Sequence, residues 1–318
     1  MKLLLPDSLP LDPHLPDHVT AVRYDATAPV PEEHRDAEAL VVWGSSRADL
    51  AEAAPHMEQL LWVQSLGAGA DSVLAAGFRP SVRIATGAGL HDGPVAEHAL
   101  TLTLALVRRL ASTAQAQQER RWAPELGGAQ PLRPDRGPVT SLLGSNVVIW
   151  GFGHIGQRLA GLLQGLGATV RGAARSPGVR GGVVVVGPED LDDELGRTDI
   201  LIMILPSSPS SDRALDGPRL ARLPEHAYLV NVGRGSTVDE EALVEALATG
   251  RLAGAALDVA SVEPLPSSAA LWEAPNLWIT PHSAGGRPVG AEELIESNLA
   301  AVLQDRPLRN AVPASRAT

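Results

Sequence analysis

A chain of 318 residues and 33.2 kDa, 44% hydrophobic with mean hydropathy +0.03, is long and apolar enough for two packed domains, which excludes a disordered chain and a small stapled fold. It has no cysteine, so disulfide frameworks, cysteine nucleophiles, iron-sulfur clusters and thiolate zinc sites are excluded, and a reducing cytoplasm is the simplest compartment. A net charge of -11 disfavours nucleic acid and anionic membranes as partners, and Lys2, the only lysine, leaves no Schiff-base lysine or G-K-[ST] phosphate loop.

In chain order, short β-rich runs come first, at Lys2 to Leu5, His18 to Tyr24, Ala39 to Trp43, Leu61 to Gln64 and Val82 to Ala85. Their spacing predicts a parallel α/β layer. Pro94 then opens an Ala- and Leu-rich stretch, Val95 to Gln118, without internal Gly or Pro, which reads as one long helix. Arg121 to Pro138 is rich in Pro, Gly and Arg and reads as a loop or oligomer arm. A second α/β set follows, with strands at Asn146 to Trp150, Thr169 to Arg171, Gly182 to Val186, Ile200 to Ile204, Tyr228 to Asn231, Gly254 to Leu257 and Leu277 to Ile279. Val183 to Val186 lacks polar alternation, as expected of a strand covered on both faces. The amphipathic segment Gly290 to Leu303 is placed to pack back on the first domain, which would then be 1-92 plus 286-318, around a second domain at 93-285. No apolar stretch approaches the roughly 18 residues of a membrane span.

Gly151-Phe152-Gly153-His154-Ile155-Gly156 is G-x-G-x-x-G between a predicted strand and a predicted helix. That context suits a dinucleotide pyrophosphate, which needs a sharp turn, close backbone approach and a helix N-terminus. An NAD site would carry an acid at the end of the next strand, to hold the ribose 2′-hydroxyl. Here Ala174 stands there, followed by Arg175 and Ser176, so a 2′-phosphate is favoured: NADP(H) preferred, with NAD(H) as the alternative. Asn231-Val232-Gly233-Arg234-Gly235, Leu257-Asp258-Val259-Ala260-Ser261-Val262-Glu263-Pro264 and Thr280-Pro281-His282-Ser283-Ala284-Gly285 each follow a predicted strand. The carboxyl ends of such strands form the ligand crevice. Reduction of a 2-keto acid needs a cation for the carboxylate, a proton donor for the carbonyl oxygen and a carboxylate to keep that donor protonated. Arg234, His282 and Glu263 supply these types. The other eight histidines read as surface, loop or capping residues, and no metal-ligand spacing appears.

Through G-F-G-H-I-G, N-V-G-R-G, L-D-V-x-x-x-E-P and T-P-H-S-A-G, in that order, the sequence resembles the D-isomer-specific 2-hydroxyacid dehydrogenases, in particular the NADPH-dependent glyoxylate/hydroxypyruvate reductases. The resemblance implies an α/β fold of two domains with parallel sheets, a flavodoxin-like substrate domain and a Rossmann-type NAD(P)-binding domain, with the active site in the cleft between them. It implies that Arg234 orients the substrate, that Glu263 pairs with His282 and that His282 is the general acid/base. Asp258 would lie near the nicotinamide amide, and Val232 and Gly285 would join the glycine loop in binding cofactor. The substrate carboxylate would meet backbone N–H groups of Leu66-Gly67-Ala68, with Trp43 nearby. The implied activity is reduction of a small 2-keto acid to its 2-hydroxy acid by a homodimer. A phosphoglycerate dehydrogenase and a non-catalytic dinucleotide sensor are the alternatives.

Overall fold

Short strands of three to five residues build the first sheet: β1 (Lys2–Pro6), β2 (Thr20–Tyr24), β3 (Ala39–Val42), β4 (Trp62–Ser65) and β5 (Arg83–Ala85). All pairs are parallel, in the order β2-β1-β3-β4-β5 of a flavodoxin-like sheet. Continuous runs such as Leu3-Leu4-Leu5 suit strands covered on both faces. On one face the C-terminal helix Ala291–Leu303 sets Leu294, Ile295 and Leu299 against Leu3, Leu5, Val41 and Trp62. On the other, Leu50 of α1 (Arg47–Ala53) and Val73 of α2 (Asp71–Leu74) pack on Leu4, Leu40 and Val63. These elements form one unit, Met1–His91 with Arg287–Thr318. The structure, a computed structural model, describes residues 1–127 and 137–313.

The second unit is Asp92–Gly286. Its strands are β6 (Asn146–Trp150), β7 (Thr169–Ala173), β8 (Gly178–Arg180), β9 (Val183–Val186), β10 (Ile200–Met203), β11 (Tyr228–Asn231), β12 (Gly254–Leu257) and β13 (Leu277–Ile279). They lie in the order β13-β12-β11-β10-β6-β7-β9-β8, parallel except for the β8/β9 pair. α3 (Asp92–Val107) and α5 (His154–Gly165) cover one face, where Ala99, Leu102, Leu159 and Leu163 meet Val147, Ile149 and Ile202. Between them in sequence lies α4 (Leu110–Gln118). α6 (Leu191–Leu195), α7 (Gly217–Leu220) and α8 (Glu240–Ala248) cover the other face. Strand order reverses between β6 and β10, so the ligand crevice of a doubly wound sheet falls at the carboxyl ends of these strands.

Several expectations change. The single helix over Val95 to Gln118 is two helices, because Arg109 adopts the left-handed conformation (φ 51°, ψ 43°). The buried stripe of α3 runs to Val107, whereas α4 buries only Ala116, so packing gives the chain no reason to continue the first axis. Pro94 sits in the first turn of α3, where its missing N–H leaves no helical bond unmade. Gly181 and Gly182, both with positive φ (55° and 78°), close a two-residue hairpin that adds β8 to the sheet. Val184 is 48% exposed rather than covered, because β9 lies beside the edge strand. Of the loop over Arg121 to Pro138, residues 128–136 lie outside the described residues. Among the described residues no helix is long and apolar enough to cross a membrane.

Candidate active site

The glycine loop leaves β6 at the reversal of strand order. Gly151 has φ 105°, and a Cβ there would come within 2.5 Å of the Ile204 carbonyl oxygen at the end of β10, so no other residue fits the turn. Gly153 precedes α5 without a side-chain cap, and a Cβ on it would meet no protein atom within 4 Å. No side chain caps the first-turn amides of α5, which leaves them available to an anion. Ile155 packs on the core, and His154 is exposed, 3.8 Å from Asp92.

Beyond β7, Ala174 is half-buried while Arg175 and Ser176 are exposed. Arg175 has no partner among the described residues. Arg180 instead spans the segment, donating to the Phe152 carbonyl of the glycine loop (3.1 Å) and the Ser176 carbonyl (2.7 Å). It is a brace, not a free cation.

At the end of β11 the buried Asn231 side chain accepts from Gly233 N–H (3.0 Å) and donates to the Arg234 carbonyl (3.0 Å), which also accepts from Thr237 Oγ1 (2.6 Å). These bonds fix the backbone of Arg234, whose guanidinium is half-buried and donates to the Gly233 carbonyl. Val232 is buried in the core cluster. A Cβ on Gly235 would lie 1.9 Å from the carbonyl carbon of Ala260, so the two loops carrying Arg234 and Glu263 touch backbone to backbone.

Glu263 accepts from Ala260 N–H through Oε1 (2.9 Å) and meets His282 Nδ1 through Oε2 (2.7 Å). A carboxylate only accepts, so Nδ1 carries the hydrogen, and Nε2 has no protein partner among the described residues. His282 holds a left-handed backbone (φ 51°), pinned by N–H bonds to the carbonyls of Asp258 (2.8 Å) and Thr280 (3.0 Å). Strain of this kind persists only where neighbours over-determine it. Gly285 ends the same segment, half-buried.

Asp258 ties this segment to the end of β12. Its carboxylate is fully buried and accepts from Thr280 Oγ1 (2.5 Å), Ser283 N–H (2.9 Å) and Ala284 N–H (3.0 Å), with His98 Nε2 at 3.2 Å. It holds the His282 loop. His98, expected on the surface, is part-buried on α3 and also bonds Thr280 Oγ1 (3.0 Å). The signal was available, since His98 falls between Val95 and Leu102 on the buried stripe of α3.

In the first unit, Leu66 is fully buried and its N–H donates to the Val42 carbonyl (3.0 Å), while Gly67 N–H donates to Ser65 Oγ (3.1 Å). Of the expected triplet only Ala68 keeps its amide without a protein partner among the described residues. Trp43 is half-buried and stacks on His91 with centroids 5.3 Å apart. His91, also expected on the surface or in a loop, is buried.

A phosphate-ready loop at the reversal of a doubly wound sheet, with a carboxylate-held histidine and an arginine on the neighbouring strand ends, defines a nicotinamide-dinucleotide-dependent oxidoreductase. The chain belongs to the D-isomer specific 2-hydroxyacid dehydrogenase family, whose NAD binding domain matches residues 100–284. Over 281 residues it is 32% identical to a glyoxylate/hydroxypyruvate reductase A of Serratia proteamaculans, covering 86% of this chain and 85% of that one. A D-isomer specific 2-hydroxyacid dehydrogenase family protein of Aeromonas salmonicida has a similar structure (TM-score 0.83, 27% identity, 98% of each chain). So does an NADPH-dependent glyoxylate/hydroxypyruvate reductase of Sinorhizobium meliloti in complex with NADP and sulfate (TM-score 0.80, 26% identity, 100% of this chain and 99% of that chain).

Proposed function

We propose that the protein reduces small 2-keto acids, glyoxylate and hydroxypyruvate foremost, to 2-hydroxy acids with NADPH. The observation that carries this reading is the 2.7 Å bond that His282 Nδ1–H donates to Glu263, which leaves Nε2 as the one ring nitrogen free to protonate a ligand. Names of the Serratia and Sinorhizobium relatives support the substrate class, and the latter supports the cofactor.

The residues fit a dinucleotide. Amides of Gly153, His154 and Ile155 at the uncapped start of α5 suit the pyrophosphate, and Arg175 with Ser176 suits a 2′-phosphate. Bound NADPH supplies the hydride that reaches the carbonyl carbon. His282 Nε2–H gives its proton to the carbonyl oxygen as that oxygen becomes an alkoxide, and Glu263 stabilises the imidazolium and fixes its orientation. Arg234 orients the keto acid through its planar fork, and the Ala68 amide takes part in holding the carboxylate. Met1–His91 with Arg287–Thr318 is then the substrate domain and Asp92–Gly286 the dinucleotide domain. The oligomer is a homodimer.

The test is NADPH absorbance with a panel of 2-keto acids, in wild type and His282→Asn. Oxidation of NADPH by glyoxylate or hydroxypyruvate is expected, with kcat falling by about 100-fold or more in the variant. Absence of turnover with every 2-keto acid would reject the reading.

A further inference from the structure

Leu66-Gly67-Ala68 is held by more than its own turn. The Leu66 carbonyl meets His91 Nε2 at 2.7 Å, and the Gly67 carbonyl accepts from Gly87 N–H at 2.7 Å. A trans peptide points its C=O and N–H in opposite directions. Fixing the Leu66 carbonyl on His91 therefore turns Gly67 N–H toward Ser65 Oγ, where it is found. Fixing the next carbonyl on Gly87 turns Ala68 N–H the other way, where no described residue accepts it. The loop thus ends in one aimed, unused donor.

His91 is an odd residue to find in that place. It is 4% exposed, and because a carbonyl only accepts, Nε2 carries the hydrogen and Nδ1 does not. Nδ1 is buried without a partner. An apolar ring would fill this space without leaving a nitrogen unpaired. What the imidazole adds is the bond to Leu66, and the Trp43 ring, stacked at an interplanar angle of 16°, keeps it in plane for that bond. Gly87 reinforces the arrangement from the same side. A Cβ there would overlap the Leu66 carbonyl oxygen at 2.0 Å, so this glycine lets the two backbones meet.

We propose that His91 is a positioning residue for substrate binding: by holding the Leu66 carbonyl it anchors the peptide plane that precedes the one fixed by Gly87, and so steadies the loop from which the Ala68 N–H receives the substrate carboxylate. The proposal rests on the reading of this loop as the carboxylate site. Its effect belongs in substrate affinity, and it acts through the loop without touching the reacting atoms.

The experiment compares His91→Phe, His91→Gln and Ala68→Pro with wild type. Readouts are KM and kcat for glyoxylate, the Kd of oxalate by calorimetry in the presence of NADPH, and the Kd of NADPH alone. His91→Phe keeps the ring and its stacking but loses the donor. It should raise KM and the oxalate Kd by roughly 10- to 100-fold, as expected when a binding group is misdirected, with kcat and NADPH affinity within about twofold of wild type. His91→Gln can place an amide N–H near the Nε2 position and should recover most of the loss. His91→Met, a flexible filler of similar length, replaces the Phe variant if that one does not fold. Unchanged oxalate affinity in the donor-less variant, or a Gln variant as weak as the Phe variant, overturns the proposal. Ala68→Pro separates the two levels. If it weakens oxalate while His91→Phe does not, the carboxylate loop stands and the role of His91 falls; if it leaves oxalate binding unchanged, the loop reading itself fails.

Discussion

Two arginines five residues apart divide the work at the end of β7. Arg180 is committed to the carbonyls of Phe152 and Ser176, whereas Arg175 is exposed and unpaired among the described residues. A 2′-phosphate is a dianion, so the absence of an acid at Ala174 removes repulsion and Arg175 adds attraction. A charge-assisted hydrogen bond contributes about 1.5–3 kcal/mol, and exposure moves it toward the lower end, about tenfold in selectivity. Arg175→Ala should therefore lower kcat/KM for NADPH by about tenfold and leave that for NADH nearly unchanged. Arg180→Ala should weaken both cofactors together, because it loosens the segment rather than a phosphate contact. Steady-state kinetics with the two cofactors decide, and a wild-type preference for NADH would defeat the assignment. The missing acid was legible in the sequence because it sits at a fixed offset from the glycine loop. The commitment of Arg180 was not, since its acceptor on Phe152 is a backbone atom that no side-chain pattern marks.

Helix ends carry much of the site's precision. Asp239 caps α8, its carboxylate accepting from Ala242 N–H (3.2 Å) and pairing with Arg213, and these partners hold its pKa below the ordinary carboxylate value. One residue on, Glu240 accepts from Ser261 N–H (2.7 Å) in the loop that carries Glu263, so this helix end also steadies the Glu263–His282 pair. A carboxyl with a lowered folded pKa stabilises the fold above its unfolded pKa, and that contribution is lost as pH falls through the folded value. Asp239→Ala should cost about 1 kcal/mol at neutral pH, while Asp239→Asn, also a good cap, should cost less. Urea unfolding should show the Ala deficit shrinking as pH falls through the acidic range; a deficit independent of pH would reject the ionic cap. At this scale the sequence was readable where pattern is local. Most strands appear as short β-rich runs, whereas β8 does not, although Arg180-Gly181-Gly182-Val183 carries the two-glycine signal of its hairpin. The break at Arg109 was not readable, because no Gly or Pro marks it. It follows from α4 lacking an apolar face to bury, which depends on packing far away in sequence.

At the scale of the molecule, the two ends of the second unit's sheet differ. The motifs with Arg234, Glu263 and His282 follow the carboxyl ends of β11, β12 and β13. At the opposite ends, where Tyr228 and Gly254 begin their strands, lies a cavity of about 500 Å³ lined also by Ala105, Leu106, Arg109 and Trp278. Beside it in sequence Leu110 is 48% exposed, and shortly past α4 Trp122 is 92% exposed. Trp122 is the most exposed of the large apolar side chains among the described residues, and with Leu110 it is the candidate for burial against a partner. Burial of one such aromatic removes roughly 150–250 Å² from water, about 4–6 kcal/mol at about 25 cal/mol per Å², before the costs of association. A second copy placed against this end would leave the carboxyl ends of β11, β12 and β13, with Arg234, Glu263 and His282, uncovered. Sedimentation at micromolar concentration should give twice the 33.2 kDa chain mass. Trp122→Arg combined with Leu110→Arg should shift the protein to monomer while leaving the Kd of NADPH within about twofold, since neither residue belongs to the glycine loop or the β7 end. A wild-type monomer at that concentration would remove the homodimer, and a double variant that stays dimeric would place the interface elsewhere.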